Sequence, residues 1–247
     1  MKFENIRVMN FENAIRGMRN PKESYAKSDS YFGLEANYSD HILERTNGQD
    51  FVKLYVDGEL CEFASIGPND MKLAQTLIKA GSEHRKFMRQ IFVSIDITAP
   101  LYWWKEADTY KVATTANSTS TMHTIHNKPI SLDLFEMDDY NEFITDEDGN
   151  IVFEVGTAWY AIIDTLEQLR LKYKETGDKR YWKELIRLLP EGWLQKRTWT
   201  GSYENLFGIC SPGQRRFHKL TEWSDAFIDC ARELPYAQEL LFIDEQA

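Results

Sequence analysis

The segment Gly81–His123, GSEHRKFMRQIFVSIDITAPLYWWKEADTYKVATTANSTSTMH, decides how this chain is read. From Phe87 to Thr98 its period is two. Ile91, Val93, Ile95 and Ile97 point to one side, and Gln90, Ser94, Asp96 and Thr98 to the other, which predicts a half-buried strand. Pro100 suits the first turn of a helix, where a missing N–H costs nothing, and that helix carries Trp103 and Trp104, which read as core rather than as stacking platforms. Downstream, every side chain from Thr114 to Thr121 except Ala116 is a hydroxyl or an amide. A loop that offers donors and acceptors without charge suits a polar ligand or a partner's backbone.

Upstream of this segment, FVKLYVDGELCEFAS (51–65) is two short apolar runs around Asp57-Gly58, a dipeptide suited to the positive φ angles of a hairpin turn. Pro68-Asn69-Asp70 starts a helix with Leu73, Leu77 and Ile78 on its buried stripe, and Gly81 ends it. Residues 1–50 are polar, with a turn signal at Asn20-Pro21, and read as a helical or extended N-terminal arm. Residues 51–247 read as one domain.

Downstream, 130–150 is acidic and loop-like, with a turn at Asp148-Gly149. The last hundred residues read as helical. Trp159, Ile162, Ile163, Leu166 and Leu169 keep helical spacing up to Gly177, and Asp178 caps a second helix with Trp182, Leu185 and Leu188. Phe217, Leu220, Ser224, Phe227 and Ala231 mark a third. Strands early and helices late predict an α/β (α+β) fold, a small antiparallel sheet packed against helices.

Composition narrows the function. Of 247 residues, 43% are hydrophobic, enough for a real core. A net charge of −10 argues against a footprint on long nucleic acid. No apolar run approaches the ~20 residues that cross a bilayer, so no membrane partner is expected. The start of the sequence is charged and lacks a signal-peptide core, so a cytoplasmic location is expected. Cys61, Cys210 and Cys230 form no C-x-x-C pair and read as reduced structural thiols.

Several polar groups are candidates for chemistry. His84 follows Glu83 in the turn before the strand and is placed to meet a cofactor. Lys105, Glu106, Asp108 and Lys111 flank the tryptophans and read as a solvated face with a local ion pair. Arg215, Arg216, His218 and Lys219 form the strongest basic cluster, and free N–H groups at a helix start would add to its pull on phosphate. His84, His123 and His126 lack the partners of a metal site, so none is expected. Ser118 and Ser120 have no evident base. Neither G-x-S-x-G, G-x-G-x-x-G nor a P-loop occurs.

The order of these features resembles the flavin-dependent thymidylate synthases. That family has a Glu-His turn, a strand, a helix and the motif Arg-His-Arg-x-x-Ser-x-Asn-Glu-x-Ser-x-Arg. Glu83-His84 resembles the turn, and 110–122 can be laid on the motif. Asn117 and Ser120 then match outright, and Thr115 replaces a serine. Tyr110, Lys111 and Val112 stand where the family has Arg-His-Arg, Ser118 where it has glutamate, and Met122 where it has the last arginine. Leu188-Leu189-Pro190, Asn205-Leu206-Phe207 and Arg215-Arg216 resemble later family features, while Ser224 takes the place of a nucleotide-binding arginine.

The resemblance covers roughly 66–232. It implies methylation of dUMP with FAD as hydride source and a folate as one-carbon donor, in a homotetramer with exposed tryptophans at its interfaces. It puts His84, Arg89 and Lys111 at the cofactor, and Asn117, Ser120, Arg215 and Arg216, with Lys111, at the nucleotide. It assigns no catalytic residue. Each lost arginine removes a charge-assisted contact worth about 1.5–3 kcal/mol. The resemblance is therefore equally compatible with a catalytically inactive module that binds a nucleotide or another protein. A third reading is an unrelated α/β domain whose polar loop packs at an oligomer interface.

Overall fold

A computed structural model of the protein describes residues 1–34, 52–57, 60–138, 140–212 and 221–246. In chain order the strands are β1 (Lys2–Met9), β2 (Tyr31–Leu34), β3 (Val52–Asp57), β4 (Leu60–Ser65), β5 (Phe92–Pro100), β6 (Thr115–Ser118), β7 (Phe143–Thr145), β8 (Ile151–Glu154) and β9 (Leu194–Ser202). The α-helices are α1 (Phe11–Gly17), α2 (Pro68–Lys79), α3 (Leu101–Ala107), α4 (Thr121–Thr124), α5 (Val155–Thr176), α6 (Lys179–Arg187), α7 (Tyr203–Cys210), α8 (Thr221–Arg232) and α9 (Ala237–Leu240). One sheet has the order β1-β5-β9-β6; β2-β4-β3 and β7-β8 form two smaller antiparallel sheets. The expected mixed fold of small sheets and helices is the observed one.

The chain divides into two compact units. The first comprises Met1–Lys2, Thr98–Lys105 and Asn117–Arg197; the second comprises Phe3–Ile97, Glu106–Ala116 and Thr198–Ala247. In the second unit the alternation read from the sequence decides the core. Ile91, Val93, Ile95 and Ile97 are all buried. The opposite face of β5 is tied by side chains: Thr198 donates to Asp96 at 2.6 Å, Asn5 donates to Asp96 at 2.8 Å, and Thr200 donates to Ser94 at 3.2 Å. The strand is shorter than the period implied, because Lys86–Arg89 forms a 3-10 turn that buries Phe87 and Met88.

A hairpin is present as β3–β4, but Asp57 is the last residue of β3, opposite Leu60, and not a turn residue; Gly58 lies outside the described residues. Pro68 opens α2, whose buried positions are Asp70, Ala74 and Ile78. The N-terminal residues form β1 and α1, and Val8, Phe11, Ala14 and Ile15 are core residues that their polar neighbours masked.

Asp70 anchors a buried network. Arg19 donates from Nε to Asp70 at 2.5 Å, and the two side chains are 4% and 0% exposed. Ser28 and Ser30 donate hydroxyls to the same carboxylate at 2.7 and 2.6 Å. Burial alone would push this carboxyl up. The bonds from Ser30, Ser28 and Arg19 outweigh it and hold Asp70 below the ordinary aspartate value.

The first unit has its own core of Ile125, Ile130, Phe135, Leu166 and Leu185, with Trp159 and Trp193 against it. The long helix α5 turns Trp159, Ile163, Leu166 and Leu169 of the predicted stripe to this core but leaves Ile162 exposed, and it ends at Gly177, whose φ of 67° is the left-handed cap position that favours glycine. Asp178 caps α6 as expected, accepting from Arg180 N–H at 2.9 Å.

The helical reading of the last hundred residues needs two corrections: Ile151–Glu154 is the strand β8, paired with β7 from the segment read as a loop, and Leu194–Ser202 is the strand β9. Lys196-Arg197 and an inward Gln195 broke the apolar alternation. Gln195 is satisfied in place, donating to the Thr119 carbonyl at 3.0 Å. Gly201 is required there, since a β-carbon would come within 2.4 Å of the Trp199 ring. In α3, Trp103 and Trp104 are core residues as their residue type suggested, 2% and 1% exposed, and meet edge to face at 4.9 Å; they are not the exposed interface tryptophans that the resemblance implied. Lys105 pairs with Glu191 at 2.5 Å, not with a neighbour on its own helix.

Candidate functional site

A cleft of about 260 Å³ in the second unit gathers the segments that the sequence singled out. Its lining includes Arg85 beside His84, Tyr110 and Val112 on either side of Lys111, and Glu204 and Asn205 at the start of α7. Ser202 caps α7 through a reciprocal pair of bonds with Asn205. Asn205 reaches further and donates from Nδ2 to the Val112 carbonyl at 2.8 Å. That bond clamps the Tyr110–Val112 segment to the helix. It also holds a strained turn: Ala113 has φ 61°, which costs a residue with a β-carbon roughly 1–2 kcal/mol. Thr114 N–H closes the turn on the Lys111 carbonyl at 3.0 Å.

Arg85 is the cation of this cleft. Its Nε donates to both Glu204 oxygens, at 3.1 and 2.9 Å, and its guanidinium lies 4.6 Å from the Phe207 ring centre. The pair is 13% and 19% exposed. Its charge is thus answered within the chain, and the cleft presents a neutral ion pair, hydroxyls of Thr109 and Tyr110, and the Asn205 amide. Arg85, Glu204 and Tyr110 were not picked out as site residues. Adjacency to His84 and Lys111 was the only signal, and nothing in the sequence tells that Arg85 and Glu204 meet.

The predicted residues take the following places. His84 is exposed in the turn, its N–H bonded to the Gly81 carbonyl at 3.0 Å. Arg89 is exposed and donates to the Ser82 carbonyl at 3.4 Å. Lys111 is exposed at the end of a 3-10 turn. All three belong to the second unit, and none lines the cleft that their neighbours form.

Asn117 and Ser120 belong to the first unit. The polar loop that holds them is regular: Thr115–Ser118 is strand β6, with Asn117 exposed, and Ser120 caps the single turn α4. Ser120 does have an imidazole neighbour, since its Oγ lies 2.9 Å from His123 Nδ1. The same oxygen accepts the His123 N–H at 3.3 Å, so the contact is that of a helix cap. Arg215, Arg216, His218 and Lys219 lie outside the described residues, as does the side chain of Ser224.

Among the described residues no group of three His, Cys, Asp or Glu side chains could hold a metal ion, and no helix is long and apolar enough to cross a membrane. Cys210 and Cys230 are free thiols, and burial, then the Glu233 charge, push Cys230 up to about 11, which keeps it protonated and unreactive.

No known family model and no curated protein matches the chain in sequence. In structure it is similar to the flavin-dependent thymidylate synthase ThyX of Helicobacter pylori complexed with FAD and dUMP, with a TM-score of 0.60 and 15% identity over 99% of both chains. A second structure of that protein with FAD and dUMP gives a TM-score of 0.60 and 16% identity, over 99% of this chain and 98% of the other. The fold is therefore that of the flavin-dependent thymidylate synthases, as the resemblance implied. At this identity it is the backbone that is shared, and a fold hosts more than one function.

Proposed function

We propose that this chain is a nucleotide-binding protein on the thymidylate synthase fold, with a uridine mononucleotide such as dUMP as its ligand. The observation that carries the reading is the end-to-end backbone similarity to a protein solved with FAD and dUMP. In this reading Lys111 offers a phosphate its ammonium group, and the Thr109, Tyr110 and Asn205 groups meet the polar edge of the ligand. Asn117, Ser120, Arg215 and Arg216 remain proposed nucleotide contacts.

FAD is the harder fit. The cleft of about 260 Å³ is smaller than the ~300–1,000 Å³ usual for drug-sized ligands, and FAD is larger than most of those. Its one lining arginine is neutralised by Glu204. Within one chain these residues do not fit a dinucleotide, so no step is derived through the flavin. Two forms of the proposal follow. In the first, His84, Arg89 and Lys111 complete a flavin site in a homotetramer, and the chain methylates dUMP with a folate as one-carbon donor. In the second, the chain binds its nucleotide without catalysis. The Arg85–Glu204 pair favours the second form, because it takes a cation from the more highly charged pyrophosphate of FAD while Lys111 stays available to the single phosphate of dUMP.

The exposed apolar residues of β7–β8 support the homo-oligomer in either form. Calorimetric titration of the purified chain with dUMP tests the common reading, and no saturable binding would remove it. Flavin absorbance in the visible separates the forms: yellow protein that turns dUMP into dTMP favours the enzyme, and colourless protein that binds dUMP but ignores added FAD favours the binder.

A further inference from the structure

A cleft of about 720 Å³ lies in the second unit and shares no lining residue with the Arg85 cleft. Its volume is ample for a small organic molecule. One wall is α1. The opposite wall, 20–32, has only two 3-10 turns and the start of β2 as regular structure. The Asp70 network holds that wall. Beyond its bond to Asp70, Arg19 donates to the carbonyls of Ser24 at 3.2 Å and Lys27 at 3.0 Å, while Asp70 takes Ser28 and Ser30. A buried ion pair is a weak source of stability, because apolar residues of equal volume often do as well. What this one supplies is a fixed wall.

The groups facing the cleft have a consistent chemistry. Arg16 is exposed, bonded only to the Asn13 amide oxygen at 2.7 Å, and has no carboxylate partner among the described residues. Glu12, one turn earlier on α1, also lacks an ion-pair partner there. Asn20 and Gln90 contribute side-chain amides. Such an amide carries a donor and an acceptor side by side, which matches the edge of a heteroaromatic ring. Tyr25 donates to the Asn20 amide oxygen at 3.0 Å and so fixes which way that amide faces. Phe32 adds a flat apolar surface. Glu12 opposes ligands of high negative charge.

We propose that this cleft binds a planar heteroaromatic molecule with a single negative charge, its ring edge read by Asn20 and Gln90 and its anion held by Arg16. The site is separate from the proposed nucleotide face and does not depend on it.

The test is calorimetric titration of the full-length chain with kynurenate, a bicyclic heteroaromatic monocarboxylate, and with its decarboxylated analogue. Saturable binding of kynurenate is expected, about tenfold tighter than the analogue, as a charge-assisted contact would give. Arg16→Gln should lose about that tenfold while its thermal midpoint stays unchanged, and Glu12→Gln should tighten binding. No saturable binding up to the solubility limit, equal affinity for the two ligands, or full affinity in Arg16→Gln would each overturn the proposal.

Discussion

The two units differ in their most extreme features, although the first also buries a charge, Arg170, 5% exposed and bonded to Glu167. The second unit buries charge: Asp70 and Arg19 sit inside it, fully bonded, and order a wall of irregular chain. The first unit exposes apolar surface: Phe143, Ile144, Ile151, Val152 and Phe153, on a two-stranded hairpin, are 43–64% exposed. An isolated hairpin is marginal in water, and one with apolar residues along both strands calls for a covering surface. The contrast separates two jobs. On the proposals above, internal polarity in the second unit would hold ligand-facing surfaces still, and the exposed hairpin of the first would serve association.

The comparison breaks most easily at Asp70. Asp70→Ala leaves Arg19 buried and unpaired and should cost about 3–5 kcal/mol in urea unfolding, whereas the paired change Arg19→Met with Asp70→Leu should recover most of that loss. The pH dependence has a definite sign. A native carboxyl held below its unfolded value near ~3.9 contributes stability that is fully present above that value. The contribution is lost as pH falls through the lower native value, so Asp70→Ala should flatten the acid limb of the stability curve.

A second break concerns the hairpin. Wild-type protein should run in sedimentation at a multiple of its 28.9 kDa chain mass. Phe153→Lys, at a position 60% exposed, should lower that mass with an undisturbed circular dichroism spectrum. A monomeric wild type would show that the face stays uncovered.

Smaller effects sharpen the reading of the Arg85 cleft. Glu204→Gln frees the guanidinium and should tighten dUMP binding by several-fold up to about tenfold. Lys111→Ala should weaken it without moving the unfolding midpoint, as suits an exposed side chain. An unchanged affinity in both variants would detach the nucleotide from this face. Least of all, Ser120→Ala should cost about 1 kcal/mol through the lost cap of α4, with no effect beyond stability. A selective loss of dUMP binding there would instead return Ser120 to the ligand.

How much was legible follows from the range of each interaction. The strand β5 could be read because alternation is local: Ile91, Val93, Ile95 and Ile97 declare their side regardless of what covers them. The β3–β4 hairpin, Pro68 at the start of α2 and the Asp178 cap were legible for the same reason. β9 was not, because its inward Gln195 is acceptable only once the Thr119 carbonyl is beside it. The tryptophans could be read as core from their bulk, but not their partners, because a sequence does not show that Trp104 finds the Gln195 carbonyl at 2.9 Å and the Arg197 guanidinium at 4.4 Å.

By itself, then, the amino-acid order determined the class of fold and pointed to the family whose backbone it shares. Periodicity and capping act over a few residues and can be read without the rest of the fold. Tertiary structure alone decided which charges are spent internally. Arg85 and Glu204 are 119 positions apart, and Arg19 and Asp70 are 51 apart. Whether a cation faces a ligand or a carboxylate of its own chain depends on distance in space, and Coulomb attraction over a few ångströms has no counterpart in sequence spacing.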